Sequence, residues 1–387
     1  MNYFVKPVFV VLSVGLLLFG CSQDPSSVGS KLTGDKFSAH QTTLVSIGDT
    51  SFRAPIANGT GSFVLIGQYG ALRSRAFLRF TVPDTLAGVR IDTAELIVTV
   101  GYTWNAISTP AEFEIQKVST PWSSATVTAD SLSSLVLTPT NSGRFKDTLS
   151  IGRVLTAQVD TTLIRQWITD AADTSRSHFF SIAVLPKSSQ PDMGVWGFYE
   201  IGLSEGPSLK IIYTRNGKKD SVSVNNGEDT FIATRVPFSP SGYIETQGGI
   251  SVRSKISFNL STISDSVNRA IVNNATLELT LDNSKSVLGA GSPDTVVALF
   301  GGSNSLPDSV SLGYYAYGYR TDATQTSNSV YTFAVTSMVQ QWLNSPSTNH
   351  GIVLRSATDV TSVDTHFFYS SKDSTKAPRL TISYTKK

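Results

Sequence analysis

The sequence predicts an all-β protein made of two tandem antiparallel β-sandwich domains, each with one short helix. Three observations carry that prediction. Apolar and polar residues alternate with period two in short runs, as in Leu96, Val98, Val100, Tyr102 and Trp104 against Glu95, Thr99, Thr103 and Asn105. Gly, Pro, Asn, Asp and Ser, the residues that turn a chain, separate those runs. The same elements then occur twice in the same order, which marks an internal duplication. Each copy takes about 170 residues, enough to bury its own core without disulfides.

The elements follow in order. In residues 1–20, Lys6 precedes an apolar run at 7–19, the length of a signal-peptide core and short of the ~20 residues a spanning helix needs. Cys21 follows at once, and residues 21–44 open with a polar stretch that reads as a tether. The first domain, 45–215, has a strand bearing Arg75, Leu78 and Phe80, then the strand at 91–98. A short helix at 160–168, with Asp160 as N-cap, ends in Gln166-Trp167-Ile168 and buries one apolar face. The strand at 207–214 closes the copy, and polar residues 216–220 read as a linker.

The second domain, 221–387, repeats these features as Arg253, Ile256 and Phe258, the strand at 272–279, the helix at 336–343 with Gln341-Trp342, and the closing strand at 378–385. His178 and His350 follow the paired tryptophans at similar distances. One difference stands out. Trp122 follows the strand at 113–118, whereas the second copy has residues 296–300 and then a Gly/Ser stretch with no tryptophan.

Composition excludes several functions. Lys and Arg number 31 against 29 Asp and Glu, a net charge of +2, so no cationic groove for nucleic acid is expected. One cysteine and four histidines leave no material for a disulfide within the chain, a zinc site or haem, so neither metal nor cofactor is expected. Gly59-Thr60-Gly61 and Gly289-Ala290-Gly291 lack the strand-to-helix setting of a phosphate loop and read as turns. Glu112 and Glu114 share a strand face at ~7 Å, within the inverting-glycosidase range, but read as solvated surface. Residues 225–229 are rich in oxygen ligands for Ca²⁺ and read as a plain turn. No enzyme is expected.

The chemistry-bearing feature is aromatic. In Tyr314-Tyr315-Ala316-Tyr317-Gly318-Tyr319-Arg320, strand periodicity sets Tyr315, Tyr317 and Tyr319 on one face and Ala316 and Gly318 on the other. Aromatic faces stack on the apolar C–H faces of sugar rings, so this stripe is a candidate glycan platform, with the core-covering role as the alternative. Trp104, at a strand end, is a second candidate, with a structural role as the alternative. Trp167 and Trp342 recur with their helices and read as packing residues.

Two resemblances add to these readings. Leu18-Phe19-Gly20-Cys21 resembles the lipobox of bacterial lipoproteins, with Phe19 where a small or aliphatic residue is usual. It implies acylation of Cys21 and a membrane held through lipid; with Ser22 next, it implies the outer membrane, facing either side. The Arg-x-x-Leu-x-Phe strand, the Ile/Val-x-x-Ala-x-Leu strand, the helix ending in Gln-Trp and the closing Pro-x-Leu-x-Ile-x-Tyr together resemble the disaggregatase-related (DNRLRE-type) domain family. That resemblance implies jelly-roll-like sandwiches of secreted and surface proteins, some of which bind carbohydrate. The expectation is a non-enzymatic, lipid-anchored envelope protein whose paired modules bind polysaccharide; the alternative is a structural or adhesion protein that contacts other envelope proteins.

Overall fold

The computed structural model describes residues 38–386 apart from 108–109, 149, 174, 176–177, 188, 190–191, 226, 239–240, 264–269, 303–309, 323 and 325–327. The expected signal peptide and Cys21 lie outside the described residues. The first copy opens with β1 (Ser38–Val45), β2 (Gly48–Arg53), β3 (Phe63–Tyr69), β4 (Leu72–Phe80), β5 (Arg90–Trp104) and β6 (Ala111–Val118). It continues with β7 (Leu137–Asp147), β8 (Val154–Gln158), α1 (Thr161–Ala171), β9 (Phe180–Pro186), β10 (Gly194–Tyr199) and β11 (Ser208–Arg215). The second opens with β12 (Lys218–Val224), β13 (Gly227–Arg235), β14 (Ile244–Gln247), β15 (Val252–Ser257), β16 (Ile271–Thr280) and β17 (Val296–Gly301). It ends with β18 (Val310–Tyr317), β19 (Tyr319–Thr321), β20 (Val330–Ala334), α2 (Thr336–Asn344), β21 (Ile352–Ser356), β22 (Thr365–Phe368) and β23 (Arg379–Lys386). The protein is all-β, and its ladders are antiparallel.

Each lobe is two layers around an aliphatic core. In the second lobe, β1-β23-β16-β20-β19 faces β18-β17-β21-β15-β14-β22, with β2 also on β15. Leu277, Leu279, Leu380 and Ile382 of one layer meet Ile256, Ala298, Phe300 and Leu354 of the other. The first lobe repeats this, with β12-β11-β5-β8 facing β7-β6-β9-β4 and β13, while the fifteen-residue β5 reaches across to β10. Its alternating residues Leu96, Val98, Val100, Tyr102 and Trp104 are all buried, because every second side chain of a strand enters the core. A helix closes each core: α1 buries Leu163, Ile164, Trp167 and Ile168, and α2 buries Met338, Val339 and Trp342. Asp160 caps α1, accepting from Thr162 N–H at 2.8 Å.

The two copies exchange their opening strands. β11 ends at Arg215 and β12 starts at Lys218, joined by Asn216 and Gly217 at φ 50° and 76°. Two central residues at positive φ make the tight hairpin turn that Asn-Gly favours. The expected linker at 216–220 is therefore a hairpin turn and the start of a strand. β12 stays on β11, and β13 goes on to pair with β4 of the first lobe. Reciprocally, β1 pairs with β23 and β2 with β15 of the second lobe. Residues 38–44, expected within the tether, thus form an edge strand.

The exchanged pairs hold equivalent places. Ile232 of β13 stands opposite Arg75, and Phe52 of β2 stands opposite Arg253. Phe231, Ala233 and Val224 join the first core, and Leu44 packs on the second. Fully burying a Phe side chain contributes about 2–3 kcal/mol, so the exchange ties the lobes together energetically as well as covalently. Side-chain bonds add to this junction. Tyr102 Oη donates to Asp364 Oδ1 at 2.8 Å, and Thr103 and Ala290 bond each other's backbones at 3.0 and 2.7 Å.

Candidate binding surface

The outer face of the second lobe is built on β17, β18 and β21. Cross-strand register sets Tyr315 beside Leu299 and Tyr317 beside Val297, then Leu299 beside Val353 and Val297 beside Arg355. Val297, Leu299 and Val353 form a small apolar cluster with Phe52 and Ala357. The tyrosines stand over it at 61 % and 62 % exposure, edge to face with ring centroids 5.7 Å apart. Together with Arg355 and Ala357 they line a groove of about 260 Å³. Aromatic walls, an aliphatic floor and a guanidinium at the rim suit a ligand with apolar faces and hydroxyl edges.

Tyr319 does not share this face. The chain leaves one sheet after Tyr317 and enters the other at Tyr319, which pairs with Thr332. Gly318 makes the crossing, and a Cβ there would lie 2.7 Å from the Phe333 ring. Tyr319 is 76 % exposed on the neighbouring layer, whereas Ala316 is buried, as strand alternation requires. Trp104 is only 6 % exposed. Its Nε1 donates to Val287 O at 3.0 Å across the junction, and its ring meets Tyr69 edge-on at 5.9 Å. The structure therefore brings Tyr315 and Tyr317 together and sets Trp104 inside the joint between lobes.

The first lobe covers the same face. Its segment at 119–136 carries Trp122, Val127 and Leu135 onto Phe77, Val118, Ala183 and Ile232. Trp122 Nε1 donates to Ser181 Oγ at 2.9 Å. Glu228 anchors the segment, accepting from Ser124 N–H at 3.1 Å while pairing with Arg79.

Other titratable clusters are accounted for by structure. Glu112 pairs with Lys187 and, at 2.8 Å, with Lys146. Hydrogen bonds from Lys146 and Lys187 hold its carboxyl down at about 2, so it is ionised at neutral pH and has no proton to give. His178 Nε2 lies 2.5 Å from Asp173 O and its ring stacks on Phe180, in the turn after α1.

Sequence reasoning missed one cluster. His366 Nε2 contacts Asp294 Oδ1 at 2.6 Å and His366 Nδ1 lies 3.4 Å from Thr246 Oγ1. Tyr331 Oη and Arg320 also donate to Asp294. Burial opposes ionisation of Asp294, but His366, Tyr331 and Arg320 outweigh it and hold the carboxyl well below the usual range. Thr246 and His366 are both fully buried, so this hydroxyl–imidazole–carboxylate line pins strands together. Its members lie far apart in sequence, and no local spacing announces them.

Among the described residues no group of His, Cys, Asp and Glu is arranged to hold a metal ion, and no helix is long and apolar enough to cross a membrane. Comparison with protein-family models, curated proteins and solved structures finds no match to the chain.

Proposed function

We propose that the protein is a lipid-anchored component of a bacterial cell envelope that binds polysaccharide through Tyr315 and Tyr317. The observation that carries this reading is the exposed, mutually perpendicular tyrosine pair over an aliphatic floor, with Arg355 at the groove's rim. Two aromatic planes offer stacking to successive sugar faces, and the guanidinium supplies donors to hydroxyls. Attachment at Cys21 and outer-membrane placement rest on the lipobox-like Leu18-Phe19-Gly20-Cys21 and on Ser22. The resemblance to DNRLRE-type domains supports the same ligand class.

A glycan array probed with the protein and with Tyr315→Ala/Tyr317→Ala tests the reading. Selective binding that the double substitution removes is expected. A blank array, or binding that survives both substitutions, contradicts it.

One observation favours a second reading, contact with other envelope proteins. Among the described residues the eight-residue β1 ends its sheet with one edge unpaired, and its last residue Val45 and the following Ile47 are 52 % and 67 % exposed. An uncovered edge strand templates pairing with another chain. Cross-linking from β1 in intact cells, with a blank glycan array, would favour this role.

A further inference from the structure

A cleft of about 610 Å³ lies at one end of the first lobe's outer face, lined by Gly70, Ala71, Arg73, Arg75 and Thr234 on one side and by Asp130 on the other. Arg73 and Arg75 are two positions apart on β4, so both leave the same face of the sheet. Asp130 is the one carboxylate among the described lining residues, and Arg53 lies 3.6 Å from it. Neither Arg73 nor Arg75 has an ion-pair partner among the described residues, and Arg75 Nη1 is buried without a hydrogen-bond acceptor. Burial, and then the neighbouring Arg73, pull the Arg75 pKa below the ordinary arginine value. Arg75 is half-buried and Arg73 exposed, and a guanidinium nitrogen buried without an acceptor is costly, a cost that a bound anion would offset.

The second lobe fills the equivalent position from within. Arg253 on β15 is the counterpart of Arg75, and Ser251 is the counterpart of Arg73. There Asp359, 3 % exposed, brings its carboxylate to Arg253 at 3.3 Å, Ser251 Oγ at 3.3 Å and Arg355 at 3.9 Å. Gly249, the counterpart of Ala71 on the cleft wall, donates its N–H to Asp359 O at 2.7 Å. One lobe thus seats a carboxylate of the chain against its arginine; among the described residues of the other lobe none pairs with Arg75, and the Asp192 carboxylate at the cleft's edge accepts from Gly70 N–H at 2.8 Å.

We infer that the first lobe's cleft binds an oxyanion, a phosphate, sulfate or carboxylate carried on a sugar-sized molecule, at Arg73 and Arg75 where Asp359 sits in the second lobe. The planar guanidinium fork takes two oxygens of such a group, and the cleft has room for the sugar beside it. The site is separate from the tyrosine groove and does not depend on it.

Calorimetric titration of the full-length protein in neutral detergent tests this with inorganic phosphate, glucose 6-phosphate, glucuronate and, as uncharged control, glucose. Glucose 6-phosphate and glucuronate should bind saturably, inorganic phosphate more weakly, and glucose not at all. Arg75→Gln should weaken binding roughly tenfold to a hundredfold, the range for losing a hydrogen bond to a charged group. Thr234→Asp sets a carboxylate against the arginines, so it should abolish binding while raising the melting temperature, a pairing that misfolding cannot give. Inorganic phosphate binding as tightly as the sugar phosphate would assign the cleft to the free ion and overturn the sugar-borne ligand. No saturable binding of any anion at millimolar concentration, or equal affinity in Arg75→Gln and Thr234→Asp, would overturn the site.

Discussion

The outer faces of the two lobes share a strand plan and differ in what lies on top. In the first, eighteen residues between β6 and β7 fold back as a cap, and Trp122 fills the space over Phe77 and Ile232. In the second, eight residues join β17 to β18, and the face carries Tyr315 and Tyr317 over Val297 and Leu299. Duplication supplied two copies of one apolar outer face, which water makes unfavourable to leave bare. One copy resolves the cost with its own chain. The other retains an aromatic groove, the surface on which the proposed glycan would stack.

The difference between the lobes depends most strongly on the cap. Trp122→Ala should lower stability by about 3–5 kcal/mol, the usual cost of a large buried aromatic, in chemical denaturation followed by fluorescence. Glycan binding should persist in that variant under conditions where it remains folded. A loss below about 1 kcal/mol would mean the cap is not part of the first lobe's core.

A smaller effect is expected at the strand pairs that the copies exchange. Asp229 on β13 and Asp49 on β2 hold matching positions and accept from Ile201 N–H and Ser371 N–H respectively. Burial pushes the Asp229 carboxyl up to about 7, with Glu200 adding to the rise and the Ile201 N–H opposing it. A carboxyl raised in the folded state adds no penalty below its unfolded pKa near ~4, an increasing penalty up to pH 7, and a constant one above. Asp229→Asn keeps an acceptor for Ile201 and removes the charge. It should raise the melting temperature at pH 8 by several degrees, and the gain should vanish towards pH 4. Asp49→Asn should change little by the same measurement, since Asp49 is only half-buried.

The smallest effect on stability belongs to the groove. Tyr315→Ala and Tyr317→Ala remove exposed rings, so each should cost less than about 1 kcal/mol while abolishing glycan capture. A larger cost would recast the pair as part of the fold.

Much of this architecture was legible in the residues, and the exceptions have physical reasons. Gln166-Trp167 and Gln341-Trp342 marked the two helices because an indole on a short amphipathic helix must be buried. The closing strands revealed the duplication because alternate Leu, Ile and Tyr face a core. The exchange was hidden, since β1 and β12 carry the same alternating pattern whichever lobe they join. Asn216-Gly217 held the decisive signal, a hairpin turn, at the point where a boundary between copies suggested a linker. Tyr315 and Tyr317 followed from strand periodicity, but Tyr319 did not, because Gly318 carries the chain from one sheet to the other. Between a ligand-facing and a structural role for Trp104 the sequence could not decide, because its partner, Val287, comes from the other copy. Arg75 carried no signal by itself; its significance comes from the Asp359 carboxylate that sits against its counterpart, Arg253.

Hydroxyl-radical footprinting of the full-length protein, with and without the best glycan from the array, tests the contrast between the lobes most directly. Tyr315 and Tyr317 should be reactive alone and protected by the glycan, while Trp122 stays unreactive in both states. A reactive Trp122 in the free protein, or tyrosines equally reactive with saturating glycan, would contradict the account.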